Sequence, residues 1–115
     1  FERVIHHEVF HIINDQYKEL FEETEWIKFN SSEFKYAECS TCTKKIGLST
    51  YEKTKGFFTE YSKSTASEDM AEVYSHMLFL SQNEINKIKK KDPILNKKIL
   101  YIENKIKKID NSFNF

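Results

Sequence analysis

Glycine and proline are scarce in this chain, and their scarcity limits the number of tight turns that it can form. Its 115 residues contain two glycines and one proline. A sandwich or barrel of many short strands needs turn residues at regular intervals, so these counts argue against such folds. Hydrophobic residues make up 39% of the chain, which is enough for one modest core. We therefore expect a mainly helical fold, with at most a minor short strand or hairpin.

An H-E-x-x-H pattern, His7-Glu8-Val9-Phe10-His11, lies close to the N-terminus. Residues four positions apart share a helix face, so His7 and His11 can direct two imidazole nitrogens at one metal ion, each about 2.0–2.1 Å from a zinc. Glu8 lies one position further round the helix. It is better placed there to reach a water on the metal than to act as a third ligand. The pattern predicts a metal site of the kind that metal-dependent hydrolases use.

The helix that carries this pattern is predicted to cover residues 2–15. Apolar residues surround the histidine stripe on more than one side, which predicts a helix buried in a core. These residues are Val4, Ile5, Val9, Phe10, Ile12 and Ile13. A short helix followed by a loop is expected within 17–29. Residues 30–56 are polar and irregular, and they include a short predicted strand at 34–37.

The segment after this insertion returns to regular structure. An extended stretch over 56–61 is predicted to lead into a turn at 62–66. A helix is then expected from about Ser67 to Ser81, because its apolar residues recur at helical spacing. Its predicted core face consists of Met70, Ala71, Val73, Tyr74, Met77, Leu78 and Leu80.

Residues 84–110 are predicted to form a helix or a pair of helices with an apolar seam. The seam residues, spaced by three and four, are Ile85, Ile88, Leu95, Ile99, Ile102, Ile106 and Ile109. Asp92 and Pro93 interrupt the seam in the way that a helix N-cap and first helical residue do. Nine lysines are expected to form the solvated faces, namely 87, 89, 90, 91, 97, 98, 105, 107 and 108. An apolar seam of this kind is expected to pack against another helix or another protein surface.

Two cysteines form a C-x-x-C pattern, Cys39 to Cys42. A zinc ribbon would need a second pair, which the chain lacks, and a thioredoxin-like site would need a different surrounding fold. A surface disulfide, two free thiols and a metal clip completed by a distant histidine all stay open.

Charge and hydropathy exclude several partner classes. The formal net charge is zero, so no overall field attracts the chain to nucleic acid or to a membrane surface. No apolar run reaches the length of a transmembrane helix. The sequence opens inside the predicted metal helix, so we expect a fragment of a longer protein. Within it we expect one domain over 1–110 and a frayed tail at 111–115.

A zinc hydrolase needs a third protein ligand, and the best candidates follow residue 66. Glu68 and Glu72 are four positions apart, so they share a helix face as the two histidines do. One of them can bind the metal while the other holds a ligand histidine by a hydrogen bond. Thr65-x-x-Glu68 also fits a capping box, in which Glu68 only caps the helix. His76 lies on the face of Glu72 and fits a packing role or a second contact to the site.

Together, three motifs resemble the zincin metallopeptidases that use a glutamate as third ligand. They are His7-Glu8-x-x-His11, Gly56-Phe-Phe-x-x-Tyr61 and Glu68-Asp-Met-Ala-Glu72. The likeness is to the C-terminal catalytic domain of anthrax lethal factor and its relatives. Those proteins carry a tyrosine seven residues before a metal-binding glutamate, which opens an E-x-x-A-E run. The resemblance covers residues 1–80. Two features depart from it: the long insertion with its C-x-x-C, and the lack of the sheet that precedes the metal helix.

The resemblance implies a role for each matching residue. His7, His11 and Glu68 would bind Zn²⁺, and Glu72 would support the site from behind a ligand histidine without touching the metal. Glu8 would act as general base on a zinc-activated water, and Tyr61 would donate a hydrogen bond to the developing oxyanion. The implied activity is zinc-dependent hydrolysis of a protein or peptide substrate. The resemblance also favours a secreted or extracytoplasmic location.

Two other functions fit the sequence. One is a catalytically inactive zincin-like module that keeps the scaffold and serves as a binding domain. The other is a helical interaction domain in which H-E-x-x-H is accidental and the apolar seam carries the function. A bound metal would exclude the helical interaction domain. Peptide hydrolysis would distinguish an active enzyme from the inactive zincin-like module.

Overall fold

The computed structural model describes residues 2–37 and 55–111. Within those ranges the chain forms five α-helices, which are α1 Glu2–Gln16, α2 Glu23–Ile27, α3 Ala66–Phe79, α4 Gln82–Lys91 and α5 Pro93–Ile109. A short 3-10 helix, Glu60–Lys63, precedes α3. No strand occurs in the described residues, so the prediction of a mainly helical fold is confirmed. Cys39, Cys42 and residues 112–115 lie outside these ranges, and the predictions for them stay predictions.

The central element of the fold is α3. It contacts α1, α2, α5 and the 3-10 helix. Thr65 begins it as N-cap, because its hydroxyl accepts a hydrogen bond from the backbone N–H of Glu68. Most of the predicted core face is buried, namely Met70, Ala71, Val73, Tyr74 and Met77, while Leu78 and Leu80 are half-buried. This helix therefore fixes the positions of its neighbours.

In contrast, α1 is less buried than its apolar sequence predicts. Only His7 and Phe10 are buried along its length. Val4, Ile5, Val9 and Ile12 are exposed, with Ile12 at 65%. The prediction of a helix enclosed in a core was wrong. Its physical reason is that α1 packs mainly against α3 along one stripe, which leaves the other apolar side chains facing solvent.

Residues 34–37 do not form the predicted strand. Their backbone makes one hydrogen bond to another element, from Ala37 N to Lys63 O at 3.1 Å. The Tyr36 hydroxyl instead reaches Asp69 on α3 and donates to its Oδ2 at 2.6 Å. Since the described residues contain no neighbouring strand, alternating apolar side chains here reflect packing of a loop on α3.

The C-terminal part is a pair of helices that meet at Asp92. Its Oδ1 accepts hydrogen bonds from the backbone N–H groups of Ile94 and Leu95, and Pro93 occupies the first helical position. The predicted N-cap is therefore confirmed. The apolar seam packs into the chain's own core, where Ile85, Leu95, Ile99, Ile102 and Ile106 are buried. A further packing partner for these helices stays a prediction.

Lys98 departs from the expectation that the lysines form solvated faces. Its side chain is fully buried, and its Nζ donates to Asp69 Oδ2 at 2.7 Å and to Gly56 O at 2.7 Å. Asp69 Oδ2 also accepts from Trp26 Nε1 at 3.0 Å. Burial of a charged amine is costly unless it is paired, and Asp69 supplies that partner. The ion pair joins α5 to α3.

Gly56 connects the segment that leads to Tyr61 to α5. Its φ of +88° lies in the region that favours glycine, and a Cβ here would meet Ile94 Cγ2 at 3.1 Å. Its N–H donates to Asp92 Oδ2 at 2.7 Å. The backbone that leads to Tyr61 is thus held at both its N–H and its carbonyl. Among the described helices, none has the length and apolar character needed to cross a membrane.

Candidate metal centre

Two helices bring the predicted metal ligands together. The histidines His7 and His11 lie one turn apart on α1, and Glu68 lies in the first turn of α3. Thr65 caps the backbone N–H of Glu68 at 3.1 Å, but the Glu68 carboxylate does not return to Thr65 as a capping box would require. Its two oxygens contact the histidines and Tyr61 instead. The backbone of Glu68 therefore takes part in capping while its side chain is free for the site.

The three candidate ligand atoms form a close triangle. His7 Nε2 lies 3.2 Å from His11 Nε2 and 2.9 Å from Glu68 Oε1, and His11 Nε2 lies 2.6 Å from the same oxygen. Ligand atoms in a tetrahedral zinc site are about 3.3 Å apart, given bond lengths of about 2.0–2.1 Å. Two of the three distances fall within about half an ångström of that spacing. The residues present thus fit a zinc ion after a small outward movement of the Glu68 oxygen from His11.

Glu8 lies beside this triangle rather than within it. One of its carboxylate oxygens and the ring nitrogens of His7 and His11 all lie within 4.8 Å of one another. Its side chain is exposed, whereas the Glu68 carboxylate is in hydrogen-bond contact with both rings. Glu68 is the better third ligand, and Glu8 borders the same space from the solvent side.

The other nitrogen of His7 is held by Glu72. His7 Nδ1 donates to Glu72 Oε2 at 2.7 Å. This oxygen also accepts from Arg3 Nη1 at 2.7 Å, and the second oxygen accepts from the Thr59 hydroxyl at 2.7 Å. A hydrogen bond that fixes the proton on Nδ1 leaves the Nε2 lone pair directed at a metal. The carboxylate of Glu72 therefore orients His7.

The charges of the site favour a cation among these ligands. Burial disfavours a charge on His7, but hydrogen bonds to Glu68 and Glu72 outweigh it and raise the pKa of His7 from 6.5 to about 9. Burial likewise opposes charge on the two carboxylates. Hydrogen bonds from His11 and His7 nevertheless hold the pKa of Glu68 well below its usual range. Hydrogen bonds from His7 and Thr59 lower the pKa of Glu72 to about 2. A histidine that binds a metal must be neutral, and with His7 neutral the two carboxylates face, among the described residues, only Arg3. A divalent cation bound there would meet the remaining negative charge and replace the proton of His7.

Tyr61 comes to the site on the 3-10 helix. The sequence predicted an extended stretch and a turn here, but residues 60–63 are helical because Thr59 and Ser62 form a capping box around them. The Tyr61 hydroxyl donates to Glu68 Oε2 at 2.6 Å. Its ring centroid lies 5.8 Å from that of His7. All six predicted site residues are therefore gathered around one position.

His76 packs behind the site. Its ring stacks on Phe58 with centroids 4.3 Å apart, and Nδ1 donates to the backbone carbonyl of Glu72 at 2.7 Å. Burial lowers its pKa to about 4, so the ring is neutral near pH 7. It supports the backbone of α3 through these two contacts.

Sequence reasoning did not identify Arg3 and Thr59, which hold Glu72. A signal for Arg3 was present, since it precedes His7 by four positions and shares its helix face. Thr59-x-x-Ser62 is also a recognisable N-cap pattern just before Tyr61. Neither signal shows that the side chains converge on Glu72, because the contacts join residues 13 and 69 positions apart.

A comparison with protein families agrees with this geometry. Residues 1–112 match the model of a family described as "putative zinc-binding metallo-peptidase". Neither a curated protein nor a solved structure matched the chain. The family match covers nearly the entire 115-residue sequence, including both helices of the site. The chain therefore belongs to this metallopeptidase family.

Proposed function

We propose that the chain is a zinc-dependent endopeptidase domain of the gluzincin type, similar to the catalytic domain of anthrax lethal factor. The observation that carries this proposal is the triangle of His7 Nε2, His11 Nε2 and Glu68 Oε1, with sides of 2.6–3.2 Å. Two imidazoles and one carboxylate form a ligand set that suits zinc and leaves a position for water or substrate. Membership of a metallopeptidase family supports the same conclusion.

His7, His11 and Glu68 would hold the zinc, and Glu72 would orient His7 through Nδ1. Zinc bound there supplies a Lewis acid that polarises a peptide carbonyl and makes water more acidic. The protein's part is to direct the two Nε2 lone pairs and one carboxylate oxygen at a single point. Arg3 and Thr59 keep Glu72 ionised and in place.

Glu8 would perform the proton transfers. Its exposed carboxylate borders the space in front of both histidines. There it accepts a proton from the water that attacks the carbonyl carbon of the peptide bond. It then delivers a proton to the amide nitrogen as the carbon–nitrogen bond breaks, so that an amine and a carboxylic acid leave.

Tyr61 would stabilise the charge that develops on the carbonyl oxygen. Its hydroxyl reaches the edge of the ligand triangle, where it donates to Glu68 Oε2. A change of acceptor from that oxygen to the substrate's carbonyl oxygen would place the donor where negative charge develops.

The Glu8→Gln variant tests the proposal. It should keep about one zinc per chain by elemental analysis, because Glu8 is not in the ligand triangle. Hydrolysis of a pool of unstructured fluorogenic peptides should fall about 10²- to 10⁴-fold, the usual contribution of a general base. Glu19→Gln, at an exposed position after α1, is the matched control and should change neither measurement.

The outcomes separate the alternatives. A folded wild-type protein that binds no zinc would contradict both the peptidase and the inactive zincin-like module. Zinc binding without hydrolysis of any peptide would favour the inactive module. Hydrolysis that survives in Glu8→Gln would show that Glu8 is not the base.

A further inference from the structure

The hydroxyl group of Thr59 lies at a junction between the two parts of the site. Its Oγ1 is 2.7 Å from Glu72 Oε1 and 3.2 Å from the backbone nitrogen of Ser62. Glu72 holds the ligand histidine His7, and Ser62 belongs to the 3-10 helix that carries Tyr61. Both Thr59 and Ser62 are buried, at 3% and 0% exposure.

The directions of these hydrogen bonds are fixed by the chemistry of the groups. A hydroxyl has one proton to donate and two lone pairs to accept with. An ionised carboxylate only accepts, so the proton of Thr59 goes to Glu72. The backbone N–H of Ser62 only donates, so it occupies one lone pair of Thr59. The Ser62 hydroxyl, 3.1 Å away, can donate to the other.

Every hydrogen-bonding position of the Thr59 hydroxyl is therefore used within the site. Its methyl group and χ1 preference restrict rotation further, since threonine is branched at Cβ. A single rigid side chain thus sets the distance between Glu72 and the 3-10 helix. Serine at this position can make the same hydrogen bonds, whereas valine keeps the shape and makes none of them.

We propose that Thr59 is a positioning residue that couples the orientation of the zinc ligand His7, through Glu72, to the placement of Tyr61, through the cap of the 3-10 helix. This inference rests on the proposed zinc peptidase function. Thr59 touches neither the metal position nor the substrate space. It acts through Glu72 on one side and Ser62 on the other.

Thr59→Val is the direct test, with Thr59→Ser as the conservative rescue. Loss of an outer hydrogen bond to a metal-binding histidine typically weakens metal affinity about 10- to 100-fold. Thr59 holds Glu72 and not His7 itself, so we expect Thr59→Val to weaken zinc binding by about 10-fold, the lower end of that range, measured by competition with a chromogenic chelator. It should also lower kcat at saturating zinc with little change in KM. Thr59→Ser should recover most of both.

Spectroscopy separates positioning from a general loss of stability. The visible absorption of the Co²⁺-loaded protein reports ligand geometry, and it should shift in Thr59→Val and return in Thr59→Ser. Thr24→Val, at an exposed threonine in α2, is the matched control and should leave spectrum, affinity and kcat unchanged. If Thr59→Val does not fold, zinc affinity, kcat and the Co²⁺ spectrum of Thr59→Ser are compared with those of the wild type. Wild-type values in Thr59→Ser then support the role of the hydroxyl group, and a large loss in Thr59→Ser contradicts it.

A double-mutant cycle tests the route through Glu72. Thr59→Val and Glu72→Gln should weaken zinc binding less in combination than the product of their separate effects, because both act on the same bond to His7. Strictly multiplicative effects would overturn the coupling, as would wild-type affinity and spectrum in Thr59→Val. Metal affinity and spectrum do not depend on hydrolysis, so a failure of the peptidase proposal would leave this test intact.

Discussion

Two ion pairs join neighbouring helices to α3, and they differ in how far water reaches them. Arg3 and Glu72 connect α1 to α3 with side chains that are 14% and 3% exposed. Lys98 and Asp69 connect α5 to α3, and both side chains are 0% exposed. The N–O distance is 2.7 Å in each pair. Similar geometry thus serves two junctions with different access to solvent.

The difference lies in what surrounds each pair. Around Lys98 and Asp69, the other partners are the fixed groups Trp26, Tyr36 and Gly56. Glu72 contacts His7, and His7 and His11 both contact the Glu68 carboxylate. His11 is partly exposed to solvent there. The α5 junction is a closed structural contact. The α1 junction is held by side chains that also suit a metal ion.

The largest test of this comparison removes the cation from the closed junction. Lys98→Met keeps most of the side-chain length but leaves Asp69 buried without its ion pair. We expect a loss of about 3–5 kcal/mol in the free energy of unfolding, because a buried charge then lacks compensation. Urea unfolding followed by circular dichroism measures it. Lys107→Met breaks a solvent-accessible pair with Glu103 and should cost about 0–1 kcal/mol. Equal losses in the two variants would show that burial does not make the Lys98–Asp69 pair more important than the Lys107–Glu103 pair.

Zinc should stabilise the α1 junction by a somewhat smaller amount. With free zinc at 100 times its Kd, binding to the folded state alone adds about 2.7 kcal/mol to the free energy of unfolding. His11→Ala should lose most of this increment, measured by unfolding of chelator-treated protein with and without zinc. Lys98→Met should retain it, since the other junction does not contain the ligands. An increment that survives in His11→Ala would place the zinc elsewhere.

A further test is the pH dependence of the free energy of unfolding of the metal-free protein. The pKa of His7 is about 9 in the folded state and 6.5 unfolded. Its contribution to stability is thus fully present below pH 6.5 and is lost as pH rises through about 9. Urea unfolding at a series of pH values should show this decline between pH 6.5 and 9. His7→Ala should flatten it, and an unchanged slope in that variant would assign the decline to another group.

Below neutral pH, stability is expected to change in the opposite direction and to fall as the pH falls. Burial lowers the folded pKa of His76 to about 4, so its contribution is present above pH 6.5 and is lost as pH falls through about 4. The pKa of Glu72 is lowered from 4.5 to about 2 in the folded state. Its contribution to stability is therefore present above pH 4.5 and is lost as the pH falls through about 2. His7 on α1 and His76 on α3 therefore limit stability from opposite ends of the pH range.

Local sequence signals predicted the helices that form the site. The H-E-x-x-H spacing placed His7 and His11 on one face, and α1 has nearly the predicted bounds. Helical spacing located α3, and Asp92 with Pro93 marked the start of α5. These signals depend on residues within one or two helical turns of each other. Local structure of this kind can be predicted from a single sequence.

Long-range partners were not readable in the same way. In the sequence Lys98 looks like the other eight lysines of α4 and α5. Only its contact with Asp69, 29 positions earlier, explains its burial. The apolar residues of α1 gave no sign that Val4 and Ile12 would face solvent. The resemblance to zincins anticipated the meeting of Glu68 with the histidines, whereas Arg3 and Thr59 required the three-dimensional contacts.

The separation of the site's two halves along the chain has a consequence for folding. Glu68 and Glu72 meet the histidines across 57–65 residues. Closing a loop of that length costs entropy before any contact forms, so these contacts come late unless other packing closes the loop first. His7 and His11 alone offer a metal only two ligands in the unfolded chain. Zinc should therefore slow unfolding far more than it speeds folding, as stopped-flow rates with and without metal would show.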